Sequence, residues 1–256
     1  MKTHLIILGC GNSLGVPDIR GKWGKSQKNN KKNHRTRCSA IIKKGSNHIL
    51  IDTSPDIKIQ FLNNNIKKLD AVLYTHEHAD QTNGLFELRP FFWNNKKRIN
   101  IYGNSNTMSL LKKRFKFCFK KESYYPAIVK ANIVKSKFSI GSSNKKIFFK
   151  TFPVQHGRVK AVAYVFEKTA YLSDCNDISI IKNTDLKNLN YLIIDCLKIK
   201  DNYAHFKLSE TLYIHKHLKP KQTILTNLHS DLDYNFLKQK LPKNIIPAYD
   251  GLKLNL

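Results

Sequence analysis

Apolar residues along the chain fall into short β-branched runs separated by segments of helical period, with turn residues between them. Such alternation predicts an α/β or α+β arrangement rather than a helical bundle or an all-β sandwich. Strands are predicted at residues 5–8, 39–42, 49–52, 71–74, 99–102, 147–152, 161–166, 170–172, 191–194 and 223–225, and helices starting near Pro55, Leu85, Asn106, Ser209 and Tyr234. Several of these strands run straight into polar or ionisable residues: Ile51-Asp52, Tyr74-Thr75-His76, Leu172-Ser173-Asp174, Ile194-Asp195 and Leu225-Thr226-Asn227. Groups at strand ends are held by the sheet behind them, so that rim is the expected place for chemistry. No repeat or Pro/Gly/Ser-rich linker divides the chain, and 256 residues at 41% hydrophobic content suit one domain over residues 1–256. Residues 21–37 break the pattern, being lysine-rich and without apolar period, and are expected to form a mobile loop near a mouth.

The strongest chemical signal is Tyr74-Thr75-His76-Glu77-His78-Ala79-Asp80-Gln81. On an extended chain alternate residues face one way, so His76, His78 and Asp80 can converge while Glu77 and Ala79 face elsewhere. Two imidazoles and a carboxylate suit a first-row divalent metal. A metal needs ligands from more than one loop, and later strand ends offer His156, followed by the permissive Gly157, and Asp174. Taken alone, His156 and Asp174 read equally well as capping or turn residues.

His-x-His-x-Asp, then a lone His before Gly, then Ser-Asp, resembles the ligand order of the metallo-β-lactamase fold, and in particular the branch of PhnP-type phosphoribosyl cyclic phosphate phosphodiesterases. The resemblance extends through Gly9-Cys10-Gly11-Asn12-Ser13-Leu14-Gly15-Val16-Pro17, Arg35-Thr36-Arg37-Cys38-Ser39, residues 50–56, residues 75–89, Leu232-Asp233-Tyr234 and Pro247-Ala248-Tyr249-Asp250-Gly251. It implies an αββα four-layer sandwich with two mixed sheets. It also implies a first divalent metal, zinc or manganese, on His76, His78 and His156, with Asp174 able to bridge to a second ion held partly by Asp80. His205 matches the histidine that the phosphodiesterase branch uses as proton donor, although a lone histidine after a polar turn is more often a surface residue. The expected chemistry is attack on phosphorus by a water ionised by the metal. Asp80 would orient that water, and Arg35, Arg37 and Arg89 would clamp the phosphate, unless they merely pair carboxylates.

Two departures from the family pattern belong together. Gln81 and Asn227 stand where relatives carry histidines of the second metal. A carboxamide is a weak, neutral ligand, so one ion is expected and the second site weakened, with His229 a substitute if its loop shifts. No cysteine cluster occupies the loop near residues 21–30, so a structural zinc is not expected there. Gly9-x-Gly11 is not a dinucleotide loop, since Val16-Pro17 falls where a helix should begin. His215 and His217 fall on a predicted helix, where residues two apart diverge and cannot chelate together.

Composition refines this picture. Five scattered cysteines, none spaced Cys-x-x-Cys, argue against a disulfide framework and fit a cytoplasmic setting. The apolar run at residues 5–8 is too short for a signal segment or a membrane span, so no membrane association is expected. The net charge of +27 would ordinarily suggest a polyanion. Lysine, asparagine and isoleucine are abundant throughout, however, as an AT-rich coding sequence would produce, and the charge is read chiefly as compositional. The expected partner is a small phosphodiester. RNA processing on the same fold, or a degenerate metal-binding descendant, is the alternative, and a homodimer is left open.

Overall fold

A computed structural model describes residues 2–256. The first sheet is built from β1 (Thr3–Gly9), β2 (Ser39–Lys44), β3 (Asn47–Ile51), β4 (Ala71–Leu73), β5 (Ile99–Gly103) and β6 (Val129–Ile133). The second comprises β7 (Lys137–Ile140), β8 (Ile147–His156), β9 (Val159–Phe166), β10 (Thr169–Leu172), β11 (Tyr191–Asp195), β12 (Gln222–Thr226) and β13 (Ile245–Pro247), and β14 (Leu252–Asn255) returns to the first sheet beside β1. Their orders are β14-β1-β2-β3-β4-β5-β6 and β13-β12-β11-β10-β9-β8-β7. Both sheets are mixed: β3 to β6 run parallel in the first and β10 to β13 in the second, and the remaining pairs are antiparallel.

Strand periodicity explains the layering. Along β1, Leu5 and Ile7 enter the core between the sheets with Ile42, Tyr164, Ile193 and Ile224, whereas Ile6 and Leu8 face the opposite way with Phe61, Met108 and Leu111. A strand apolar on both faces must be covered on both. The first sheet's outer face is covered by α1 (Ile57–Asn63), α3 (Arg89–Asn95), α4 (Ser105–Arg114) and α5 (Lys116–Phe119) with their flanking turns, while the short α2 (Ala79–Thr82) follows the loop leaving β4. On the second sheet, Ile214 of α6 (Leu208–Leu218) and Leu237 of α7 (Tyr234–Lys240) pack with Leu192, Ile194 and Leu225. The result is the αββα sandwich that the resemblance implied.

The predicted strands and helices are present, with β8 and β9 longer than expected, so that they form one hairpin with His156 at its turn. Residues 21–37 depart from expectation, being tied down rather than loose. Lys25 and Ser26 N–H donate to the Ser230 carbonyl (3.1 and 2.9 Å), and Asn33 Nδ2 donates to Asp233 Oδ2 (2.6 Å). These polar anchors replace the apolar ones that periodicity detects. Among the described residues no helix is long and apolar enough to cross a membrane.

Candidate metal centre

The site lies where β4, β8, β10, β11 and β12 end. Since β9 is antiparallel to both β8 and β10, those two strands point the same way and finish on one rim. His76 and His78 come from the loop leaving β4, His156 from the last residue of β8, Asp174 from the turn after β10 and Asp195 from the end of β11. His205 arrives on the segment between β11 and α6.

Ligand atoms of His76, His78 and His156 lie within 4.8 Å of one another, as do those of His156, Asp174 and His205. The imidazole tautomers are set from behind. His76 Nδ1 donates to Thr75 Oγ1 (3.0 Å), which in turn donates to Asp52 Oδ2 (2.8 Å). His156 Nδ1 donates to the Ala204 carbonyl (2.8 Å). Each ring therefore aims Nε2 at the centre. His76 Nε2 is buried without a partner, and His156 Nε2 lies 3.2 Å from His78 Nδ1. An orphaned buried acceptor beside two facing ring nitrogens costs free energy unless a cation lies between them, so the donor set fits a divalent metal. Burial drives the His76 pKa down to about 3 and also lowers that of His78, keeping their lone pairs free at neutral pH.

Asp80 departs from the extended-chain expectation. The chain is extended only as far as His78, and Asp80 sits in the first turn of α2. It lines the same cavity but lies outside both convergent groups. Burial and the Asp174 charge push its pKa up to about 6. For Asp174, burial acts to raise the pKa, but His76, His156 and His205 outweigh it and hold the carboxyl below its ordinary value.

Gln81 and Asn227 face the carboxylates as donors. Gln81 Nε2 donates to Asp80 Oδ2 (3.2 Å) and Asp174 Oδ2 (3.3 Å), and Asn227 Nδ2 to Asp174 Oδ1 (3.2 Å) and Asp195 Oδ1 (3.3 Å). Amide protons thus engage the oxygens that a second cation would need. His229 lines the cavity, but its Nδ1 is 3.3 Å from Asp231 Oδ2.

His205 Nδ1 donates to Asp195 Oδ2 at 2.7 Å. Burial acts to lower the His205 pKa, but the Asp195 charge outweighs it and raises the group to about 9. Burial pushes Asp195 up to about 6, so between those values the two form a carboxylate–imidazolium pair. Asp195, Thr75 and Asp52 are functional neighbours that ligand spacing does not find, and the only signal for Asp195 was a carboxylate ending a strand.

The arginine clamp is a correction. Arg35 is buried and donates to the carbonyls of His229 (3.2 Å) and Leu232 (2.7 Å), fastening the loop after β12. Arg37 forks onto Asp56. Arg89 lies over the Phe86 ring, 3.6 Å from its centroid. Among the described residues lining the metal cavity there is no arginine. All three are turned onto local carboxylate, carbonyl or ring partners, which residue type alone does not reveal. His215 and His217 do not meet: they bond Thr223 Oγ1 and the Tyr213 carbonyl.

The β-lactamase superfamily domain model matches residues 47–227, which include every ligand described above. The chain belongs to the β-lactamase superfamily. A crystal structure of a new diphosphatase from the PhnP family superimposes with a TM-score of 0.88 at 33% identity, covering 100% of this chain and 98% of that one. That likeness places the chain in the PhnP-type branch. Zinc-bound PqqB from Methylobacterium extorquens (TM-score 0.79, 16% identity, 99% of this chain and 100% of that one) and the short form of human tRNase Z (0.68, 15%, 98% of each) share the fold. An octanoyltransferase of Porphyromonas gingivalis is 30% identical over 97% of this chain. The chain spans about half the length of that curated relative, 50%. Superfamily membership and the histidine cluster give the coarse class, a β-lactamase-superfamily domain whose donor set suits a divalent metal.

Proposed function

We propose that the protein hydrolyses a small phosphodiester, cyclic ones included, using one divalent ion, zinc or manganese, on His76, His78 and His156 with Asp174 beside it. The observation that carries this reading is one cavity of about 290 Å³ lined by His78, Asp80, His156, Asp174 and His205. Ligands and a paired histidine share a space near the lower limit for small-molecule sites. The 33%-identical diphosphatase supports phosphorus as the centre attacked.

A bound divalent ion would supply Lewis acidity and an ionised water. In this reading Asp80, at the cavity wall, accepts a proton from an attacking water. In the same reading His205, held by Asp195 and with its pKa raised to about 9, gives a proton to the leaving oxygen. Asp52 and Thr75 keep His76 in its binding tautomer. The five cysteines are free thiols, which agrees with a cytoplasmic setting.

A second reading, a metal-binding descendant without turnover, is favoured by the Gln81 and Asn227 bonds to Asp174. The test is turnover of bis-p-nitrophenyl phosphate and a ribose cyclic phosphate with zinc and manganese, against His76→Ala. Activity well above that variant supports hydrolysis. Activity equal to it in every metal supports the descendant.

A further inference from the structure

We propose that the surface formed by α3, α5 and the turn at residues 122–125 binds single-stranded nucleic acid, separately from whatever the metal cavity hydrolyses. Residues 112–125 read Lys-Lys-Arg-Phe-Lys-Phe-Cys-Phe-Lys-Lys-Glu-Ser-Tyr-Tyr, interleaving cations with rings. Cys118 is buried, and Phe115 and Phe119 pack against the outer core of the first sheet. The other rings face solvent: Tyr124 is 98% exposed, Tyr125 54%, Trp93 46% and Phe117 38%.

The patch is continuous. Phe117 packs on Phe86 with centroids 5.3 Å apart, and Arg89 lies over Phe86 and 5.5 Å from the Trp93 centroid. Lys116 pairs with Glu122 at 2.9 Å, tying the tyrosine turn to α5. Lys112, Lys113, Lys116, Lys120 and Lys121 are exposed, and only Lys116 has a carboxylate partner among the described residues. Exposed rings between unpaired cations match what a single strand presents, phosphates at close spacing and free base faces. A duplex hides those faces. An anionic membrane would also attract rings and lysines, but α3 and α5 have seven and four residues, too short for an interfacial helix with one apolar face. The patch abuts the metal loop from behind: Arg114 Nη1 donates to the carbonyl of Glu77, the residue between two ligands, while none of these rings lines the metal cavity.

Because lysine is abundant throughout the chain, the test compares sites. Anisotropy of a labelled oligouridine is titrated with the full chain across a salt series. Tyr124→Ala/Tyr125→Ala weakens binding about tenfold per ring that stacks, without changing the salt slope, and Tyr124→Phe retains wild-type affinity. Lys120→Ala/Lys121→Ala flattens the log-log slope by about 0.7 per lysine. Lys238→Ala/Lys240→Ala on α7, which packs beside β13 in the other sheet, leaves affinity nearly unchanged. Equal losses from both lysine pairs would mean diffuse charge and overturn the proposal. So would equal affinity for a hairpin duplex, or ring-dependent binding to phosphatidylserine vesicles with none to oligouridine.

Discussion

His76 and His156 each place a proton behind the ring, on Thr75 Oγ1 and the Ala204 carbonyl, and that commitment leaves each Nε2 a free acceptor, as a metal ligand requires, rather than a buried donor. Thr75→Val removes the hydroxyl between Asp52 and His76 at nearly constant volume. Metal affinity, measured by competition with a chelator, should fall about 10–100-fold, and Thr75→Ser should restore it. His205 carries a pH signature through Asp195. Its folded-state pKa of about 9 exceeds the ordinary value of about 6.5. Its contribution to the stability of the metal-free protein is therefore full below about 6.5 and is lost as pH rises through about 9. Asp195→Asn should move the His205 imidazole midpoint, followed by NMR in metal-free protein, down toward the ordinary value. The same variant should flatten the loss of stability between those two pH values.

At the scale of elements, the strands that the hydrophobic pattern missed are β6, β7, β13 and β14, which are the four edges of the two sheets. Three of them, β6, β7 and β14, are short, partly exposed and interrupted by charge, as Lys130, Lys137 and Lys253 show, because an open edge is safer when it is poor in apolar residues, while β13 has only three residues and ends on Pro247, which suits an edge. The central strands carry continuous apolar runs and were legible for the opposite reason. Two strands end in residues of left-handed backbone, Asp52 (φ 60°) after β3 and Asn227 (φ 60°) after β12, and both aim side chains into the centre. Asparagine tolerates that region better than most residues. Asn227 and Gln81 fill the ends of β12 and α2 with amide donors, so Gln81→His/Asn227→His should raise the metal content per chain, measured by elemental analysis. No rise would remove the assignment of those positions to a second ion.

At the scale of the whole molecule, the centre joins the two sheets. His76 and His78 belong to the first, and His156 and Asp174 to the second. The same seam is closed by Val162 N–H donating to the Thr75 carbonyl (2.8 Å) and Tyr164 OH to the Tyr74 carbonyl (2.7 Å). Tyr164 is fully buried, so Tyr164→Phe should cost about 1–3 kcal/mol in urea unfolding of metal-free protein. A metal bound only by the folded state adds stability by mass action. Chelation should therefore lower the melting temperature of the whole sandwich in one transition, and His76→Ala should abolish that response.

Residue order alone determined the mixed α and β class, the central strands and the histidines that end them, because alternation and ligand chemistry are local properties of a chain; the four layers came from the family resemblance. The nearness of His156 and Asp174 to His76 came from the family's motif order, and no spacing in the chain shows it. Tertiary structure decided the partners. It assigned Asp195 to His205, turned Arg35 inward onto carbonyls, gave Arg37 to Asp56, and set two amides against Asp174. Those outcomes depend on which polar atoms meet across distant segments, and a side chain's chemistry states what it can bond without naming what it will find.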